Sequence, residues 1–262
     1  MNNYKVEHNL IKFTLHLADN NLIMSQRLSE WTGHGPALEQ DIALTNIALD
    51  MLGQSRNFFQ YAALLINDAR LLKEFVPGTT YPLNEDDLAY HRLEHQINSH
   101  LLVELPNGDW AQTILKIFFF SQYQQLMYEQ LLQSNDVQLA AVAEKSLKEV
   151  KYHVKWSRDW VLRLGDGTEE SHQRMAEALL FIWPFTGEIF EETIWNTQVL
   201  QHETIREKWL QLVSATIEGA TLSKPLSASF QTGGLRGMHS ENMGFILAEM
   251  QYLQRVYPGN EW

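Results

Sequence analysis

Apolar residues along this chain recur at alternating steps of four and three. Between about 136 and 164, Ala143, Leu147, Val150, Val154, Ser157, Val161 and Leu164 keep that rhythm, so one side of a long helix packs against other helices. From about 8 to 31, Leu10, Phe13, Leu17, Met24, Leu28 and Trp31 describe another such face, interrupted at Asn20 and Asn21. That gap reads as a turn facing a wet groove, or as the place where an inward carboxylate would sit in a ligand-bearing bundle. Gly33, Gly35 and Pro36 end this helix. The next, from 37 to about 65, is apolar on more than one side, with Ile42, Ala43, Leu44, Ile47, Ala48, Leu49, Met51 and Leu52, and is expected to be the buried central helix. Residues 77–108 are broken by Pro77-Gly78, Pro82 and Pro106-Asn107-Gly108 around a short helical piece. Asp109 is placed to cap a helix reaching about 133, with Ile114, Ile117, Ser121, Gln124, Tyr128 and Leu131 on one side and Phe118–Phe120 adding bulk. Asn135-Asp136 restarts the chain, and Gly165-Asp166-Gly167 stops the long helix. A helix from about 169 should split after Trp183 at Pro184, another covers about 203–222, and Ser240 caps a last one reaching about 257. No period-two run and no repeat of 30 to 50 residues intervenes, so the expected fold is all-α, a bundle with additional C-terminal helices in a single domain over 1–262.

Composition narrows the function classes. At 262 residues and 45% hydrophobic the chain can bury a substantial core. With 20 Lys and Arg against 32 Asp and Glu, its formal charge of -12 disfavours nucleic acid as a partner. The absence of cysteine removes disulfides, thiolate metal sites and cysteine nucleophiles. Residues 1–8 are charged and lack a signal-peptide core, and the apolar run Ile117–Phe120 is far too short to span a bilayer. A soluble cytoplasmic protein without a membrane partner is expected.

Candidate chemistry centres on the long helix. Carboxylate-bridged di-iron bundles use Glu and His three residues apart, which puts both ligands on one side of a turn. Here His153 has Val150 at that position, and valine cannot ligate iron. The nearby carboxylate is Glu149, four residues before His153, placed to hydrogen-bond to the imidazole. Met51 and Gln54 have the same three-residue spacing and likewise supply no such pair; they read as a core methionine and an interhelix or surface glutamine. His91-Arg92-Leu93-Glu94-His95 matches the H-x-x-E-H pattern of inverted zinc proteases, but in an acidic, proline-bounded connector rather than a long core helix. The glycine-rich run Gln231–His239 lacks the preceding strand and lysine of a phosphate-binding loop, so its glycines read as turn formers.

Four stretches carry a resemblance over nearly the whole chain: Ser25–Leu28, Asn46–Phe58, Lys148–His153 and Ala248–Val256 with Pro258-Gly259 and Trp262. The chain resembles the C subunits of bacterial phenylacetyl-CoA 1,2-epoxidases. That resemblance implies a ferritin-like bundle within a multicomponent monooxygenase of aerobic phenylacetate breakdown. It implies a paralogous catalytic A subunit that holds the di-iron centre, a reductase subunit supplying electrons from NADPH, and further small subunits. Where the catalytic paralogue has Glu-Leu-Gly-His, this chain has Met51-Leu52-Gly53-Gln54, so the resemblance marks Met51, Gln54, Glu149, Val150 and His153 as degenerate di-iron positions with no catalytic residue and no bound cofactor of their own. The implied role is structural, pairing with the catalytic paralogue; a homodimer is the assembly to test in its absence. Two other classes stay open: a self-sufficient ferritin-like oxidase, and a zinc hydrolase built on His91 and His95. The loop Thr232–His239 and the final helix are the expected docking surface for the catalytic partner, on the strength of their unusual composition.

Overall fold

The structure is a computed structural model. It describes residues 2–77, 82–225, 229–258 and 260, with the side chains of 2–6 excluded. Gly78, Gly259 and Trp262 therefore lie outside the described residues.

Two long hairpins make the bundle. In the first, α1 (Asn2–Ser29) turns at residues 30–37 into α2 (Leu38–Ala69), and the pair packs along its length. In the second, α6 (Trp110–Leu131) turns at Ser134 and Asp136 into α7 (Val137–Gly165). Asp109 caps α6 as expected and Asp136 caps α7, accepting from the backbone N–H of Gln112 and Leu139 at 2.9 Å. One long crossover joins the hairpins through the short helices α3 (Leu72–Phe75), α4 (Glu85–Tyr90) and α5 (Leu101–Glu104). Four long helices with one long crossover are the ferritin-like connection.

The remaining helices pack in two places, the first two on the second hairpin and the C-terminal ones on α1 and the crossover. Helix α8 (Glu169–Ile182) ends where Pro184 opens a 3-10 turn, and α9 (His202–Gly219) follows; both pack on α6 and α7. The single last helix expected from the sequence divides into α10 (Glu241–Met250) and α11 (Tyr252–Val256). The break falls at Gln251, a buried side chain whose amide donates to the carbonyls of Ala89 and Arg92 and ties the chain end to the crossover.

The central helix is α6, not α2. With α7 on one side and α8 and α9 on another, 17 of its 22 residues are buried. On α2 one face enters the core through Leu44, Ile47, Met51 and Phe58, but Leu38, Ile42, Leu49, Leu52 and Leu64 stand 43 to 71% exposed on the other. Two-sided apolarity reported two surfaces, only one of which is covered by the described residues.

Candidate functional site

Helices α2 and α7 bring the singled-out positions together. Met51 and Val150 are fully buried in the hydrophobic core. Gln54 is buried too, and its Nε2 donates to Glu149 Oε2 at 2.9 Å. His153 is fully buried, but its Nε2 faces Asp50 Oδ2 at 3.0 Å. The expected Glu149–His153 contact is thus replaced by two interhelical ones, because Gln54 and Asp50 lie one helical turn apart and each reaches a separate partner on α7. A carboxylate only accepts, so the Nε2 of His153 donates, and its Nδ1 stays buried without a partner.

The seam continues through the two other long helices. Tyr128 on α6 donates its hydroxyl proton to Gln54 Oε1 at 3.0 Å and accepts from Asn21 Nδ2 of α1 at 3.2 Å. Gln124 Nε2 donates to Asn21 Oδ1 at 2.9 Å. From Gln124 to Asn21, Tyr128, Gln54 and Glu149 the donors run in one direction and end on the carboxylate. Burial pushes the Tyr128 hydroxyl well above its ordinary value, so it stays a protonated donor. Sequence reasoning placed Gln124 and Tyr128 on an apolar helix face without assigning them to the site. Their signal was there: two polar residues four apart in a stripe otherwise set by Ile114, Ile117 and Leu131.

This donor set does not fit a carboxylate-bridged iron pair. Iron of that class takes several carboxylate oxygens and imidazole nitrogens on facing helices. Here the facing groups are amides, a phenol, a thioether and a valine; the imidazole is committed to the Asp50 carboxylate and the Glu149 carboxylate to Gln54. Among the described residues, no three His, Asp or Glu side chains converge in a metal-binding geometry.

Asn20 and Asn21 do not face a wet groove. Both are at most 3% exposed, and the adjacent Asp19 is fully buried. On this side α1 presents a row of polar groups that satisfies the crossover backbone. His16 Nδ1 donates to Asn98 O at 2.6 Å, Asp19 accepts from Asn98 N at 2.9 Å, and Asn20 Oδ1 accepts from His100 N at 3.0 Å. Asp19 also forms an ion pair with Arg92, which is 1% exposed and lies 5.3 Å over the Phe59 ring.

The glycine-rich run is a packing device. A Cβ on Gly234 would fall 2.0 Å from Ser99 O and one on Gly237 2.2 Å from His95 O, so glycine lets this loop press against the crossover. Gly237 also holds φ 69°, and Gly233 donates to the buried Glu188 at 2.6 Å. His239 closes the loop, both ring nitrogens 3.1 Å from acceptors, Glu104 Oε2 and Ile97 O. The composition that suggested a docking surface is explained by these internal contacts. The described tryptophans are likewise internal: Trp183, Trp195 and Trp209 are buried, and Trp31, Trp110, Trp156 and Trp160 pack against the core, while Tyr152, Phe245 and Tyr252 are exposed.

A model of the family described as Phenylacetic acid catabolic protein matches residues 1–262. The chain belongs to that family. It is 43% identical over 259 residues to the C subunit of the Escherichia coli (strain K12) 1,2-phenylacetyl-CoA epoxidase, covering 97% of this chain and 99% of that one. In this member of the phenylacetic acid catabolic family the H-x-x-E-H match lacks the geometry that gives the pattern its meaning. His91 ends α4 and bonds Asp87 at 3.2 Å, while His95 sits in a separate 3-10 turn, so the two are not ligands four apart on one helix. No described helix is long and apolar enough to cross a membrane.

Proposed function

We propose that this chain is a non-catalytic, structural subunit of a bacterial multicomponent phenylacetyl-CoA 1,2-epoxidase, working in the cytoplasm beside a paralogous di-iron subunit. The observation that carries the reading is the seam. Where a catalytic bundle needs carboxylates and imidazoles, Met51, Gln54 and Val150 fill the space with apolar packing and a neutral hydrogen-bond chain. The iron belongs to the partner, and electrons reach it from NADPH through a reductase, with small subunits completing the complex. The name of the relative, the C subunit of an epoxidase, supports the placement.

The outer face of α2 supports pairing. Leu38, Ile42, Leu49 and Leu52 are exposed at spacings of four, seven and three, with Thr45 in register between them. That is the seam of a helix that packs against another helix.

Metal content tests the reading directly. The chain purified from cells grown with iron and zinc, alone and with its catalytic paralogue, should carry near-zero metal alone and about two irons per heterodimer. Stoichiometric iron in the isolated chain would favour a self-sufficient ferritin-like oxidase. Stoichiometric zinc would return His91 and His95 to consideration.

A further inference from the structure

A second site lies away from the seam. Between the start of α9, the segment Trp183–Phe190 and the stretch at Phe230 is a cavity of about 460 Å³, in the size range of small-ligand pockets. Its apolar walls are Trp183, Phe190, Trp209 and Phe230. Phe230 is 47% exposed yet held in place: its ring lies on Gly187, where a Cβ would come within 2.2 Å, and the neighbouring Gln231 N donates to Pro184 O at 2.8 Å.

The polar groups at this cavity are unevenly matched. Glu203 is ion-paired with Arg206 at 3.6 Å, and Glu191 is ion-paired with Arg236. Glu192 stands exposed at the mouth of the cavity with no hydrogen-bond or ion-pair partner among the described residues, so one solvated negative charge remains there. His202 is 4% exposed, lines the same cavity, and has neither ring nitrogen bonded. Buried ring nitrogens are rarely left so. Desolvation lowers the His202 pKa, an effect the nearby Glu192 carboxylate partly offsets. A neutral imidazole offers one acceptor and one donor.

An unpaired carboxylate, an imidazole acceptor and several aromatic faces select a cation carrying an apolar body. They disfavour an anion, which would meet Glu192 without a free cation opposite it. We propose that this cavity binds an organic monocation, an alkyl- or aryl-ammonium or guanidinium, supplied either as a free small molecule or as an Arg or Lys side chain of a partner protein.

The test follows the fluorescence of the intact chain, with Trp183 and Trp209 as reporters, during titration with benzylammonium, benzyl alcohol, benzoate and acetyl-Phe-Arg-amide. Saturable quenching by a cationic probe, at least about tenfold tighter than by benzyl alcohol or benzoate, is the expected result. Glu192→Gln should weaken that binding about threefold to fivefold with the circular dichroism unchanged, as for a solvent-screened ion pair, and Phe230→Ala should weaken it independently. Binding of benzylammonium marks a free ligand; binding of the peptide alone marks a partner side chain; either supports the site. If benzoate binds as tightly as benzylammonium, if no cationic probe quenches, or if Glu192→Gln leaves the affinity unchanged, the assignment is wrong.

Discussion

Asn20 and Asn21 are neighbours in sequence and belong to two different interiors. Asn21 enters the seam between the four long helices, where every connected group except the terminal Glu149 is neutral. Asn20 faces the crossover, where Asp19, Glu104 and Glu188 are all fully buried carboxylates. Each of those has a dedicated partner: Arg92 for Asp19, His239 and the Ser240 N–H for Glu104, and the N–H groups of Leu101 and Gly233 for Glu188. The seam keeps its carboxylates, Glu149 and Asp50, at its partly exposed edge and lines its buried part with neutral groups. The crossover is an interior that depends on charge, because a non-helical backbone lacks an internal ladder and needs side chains to satisfy it.

The sharpest way to break this contrast is to remove one member of the buried ion pair. Arg92→Leu should cost on the order of 3–5 kcal/mol in urea denaturation, because Asp19 is left buried and uncompensated. Asp19→Leu combined with Arg92→Leu should cost less than Arg92→Leu alone. A double variant worse than the single would mean that packing, not charge, dominates there.

Acid should act next, and on the crossover side. Burial lowers the His16 pKa to about 4, outweighing the hydrogen bond to Asn98 and the charge of Asp19, which raise it; burial also holds His100 well below its ordinary value. A histidine depressed in the folded state contributes stability that is present above its unfolded value of 6.5 and lost as pH falls through the folded value. For His16 that window runs from 6.5 to about 4 and is worth on the order of 3 kcal/mol. His239 has the opposite sign. Burial lowers its pKa, but the Glu104 hydrogen bond and charge together raise it above 6.5, so its contribution is lost as pH rises through the folded value. Denaturation midpoints measured from about pH 4 to 8 should fall on both sides of neutrality, and His239→Gln should flatten the alkaline side alone.

In the seam the effect should be smaller. Tyr128→Phe removes one hydroxyl and leaves Gln54 Oε1 and Asn21 Nδ2 each short of a bond, for a loss of about 1–3 kcal/mol by urea denaturation. A loss as large as that of Arg92→Leu would erase the distinction between the two interiors. The outer face of α2 should give the smallest change in stability: Leu49→Glu with Leu52→Glu should shift the fold by less than about 0.5 kcal/mol per site. The same pair should abolish co-purification with the catalytic partner, and retained co-purification would move the interface elsewhere.

Much of the fold was legible because helices declare themselves through local spacing. Asp109, Asp136 and Ser240 marked their N-termini, and Pro184 marked the break after α8. The replacement of ligand chemistry at Met51, Gln54 and Val150 was also readable, since it depends only on residue type at a fixed spacing. The polar gap at Asn20 and Asn21 was visible but misassigned. Its partners, His100, Gln124 and Tyr128, lie 80 to 107 residues away, and no local pattern names them.

The sequence by itself determined that this chain is all-helical, where α2, α6 and α7 begin, and that no Glu-x-x-His pair is present on α2 or α7. Those properties follow from periodicity, caps and residue chemistry within one or two turns. The tertiary structure decided which of two apolar faces on α2 is covered, that Asp50 rather than Glu149 meets His153, and that Gly234 and Gly237 serve close packing on the crossover. Each is a question of which distant surface arrives, and that is settled by the packing of the four long helices and the path of the one crossover between them.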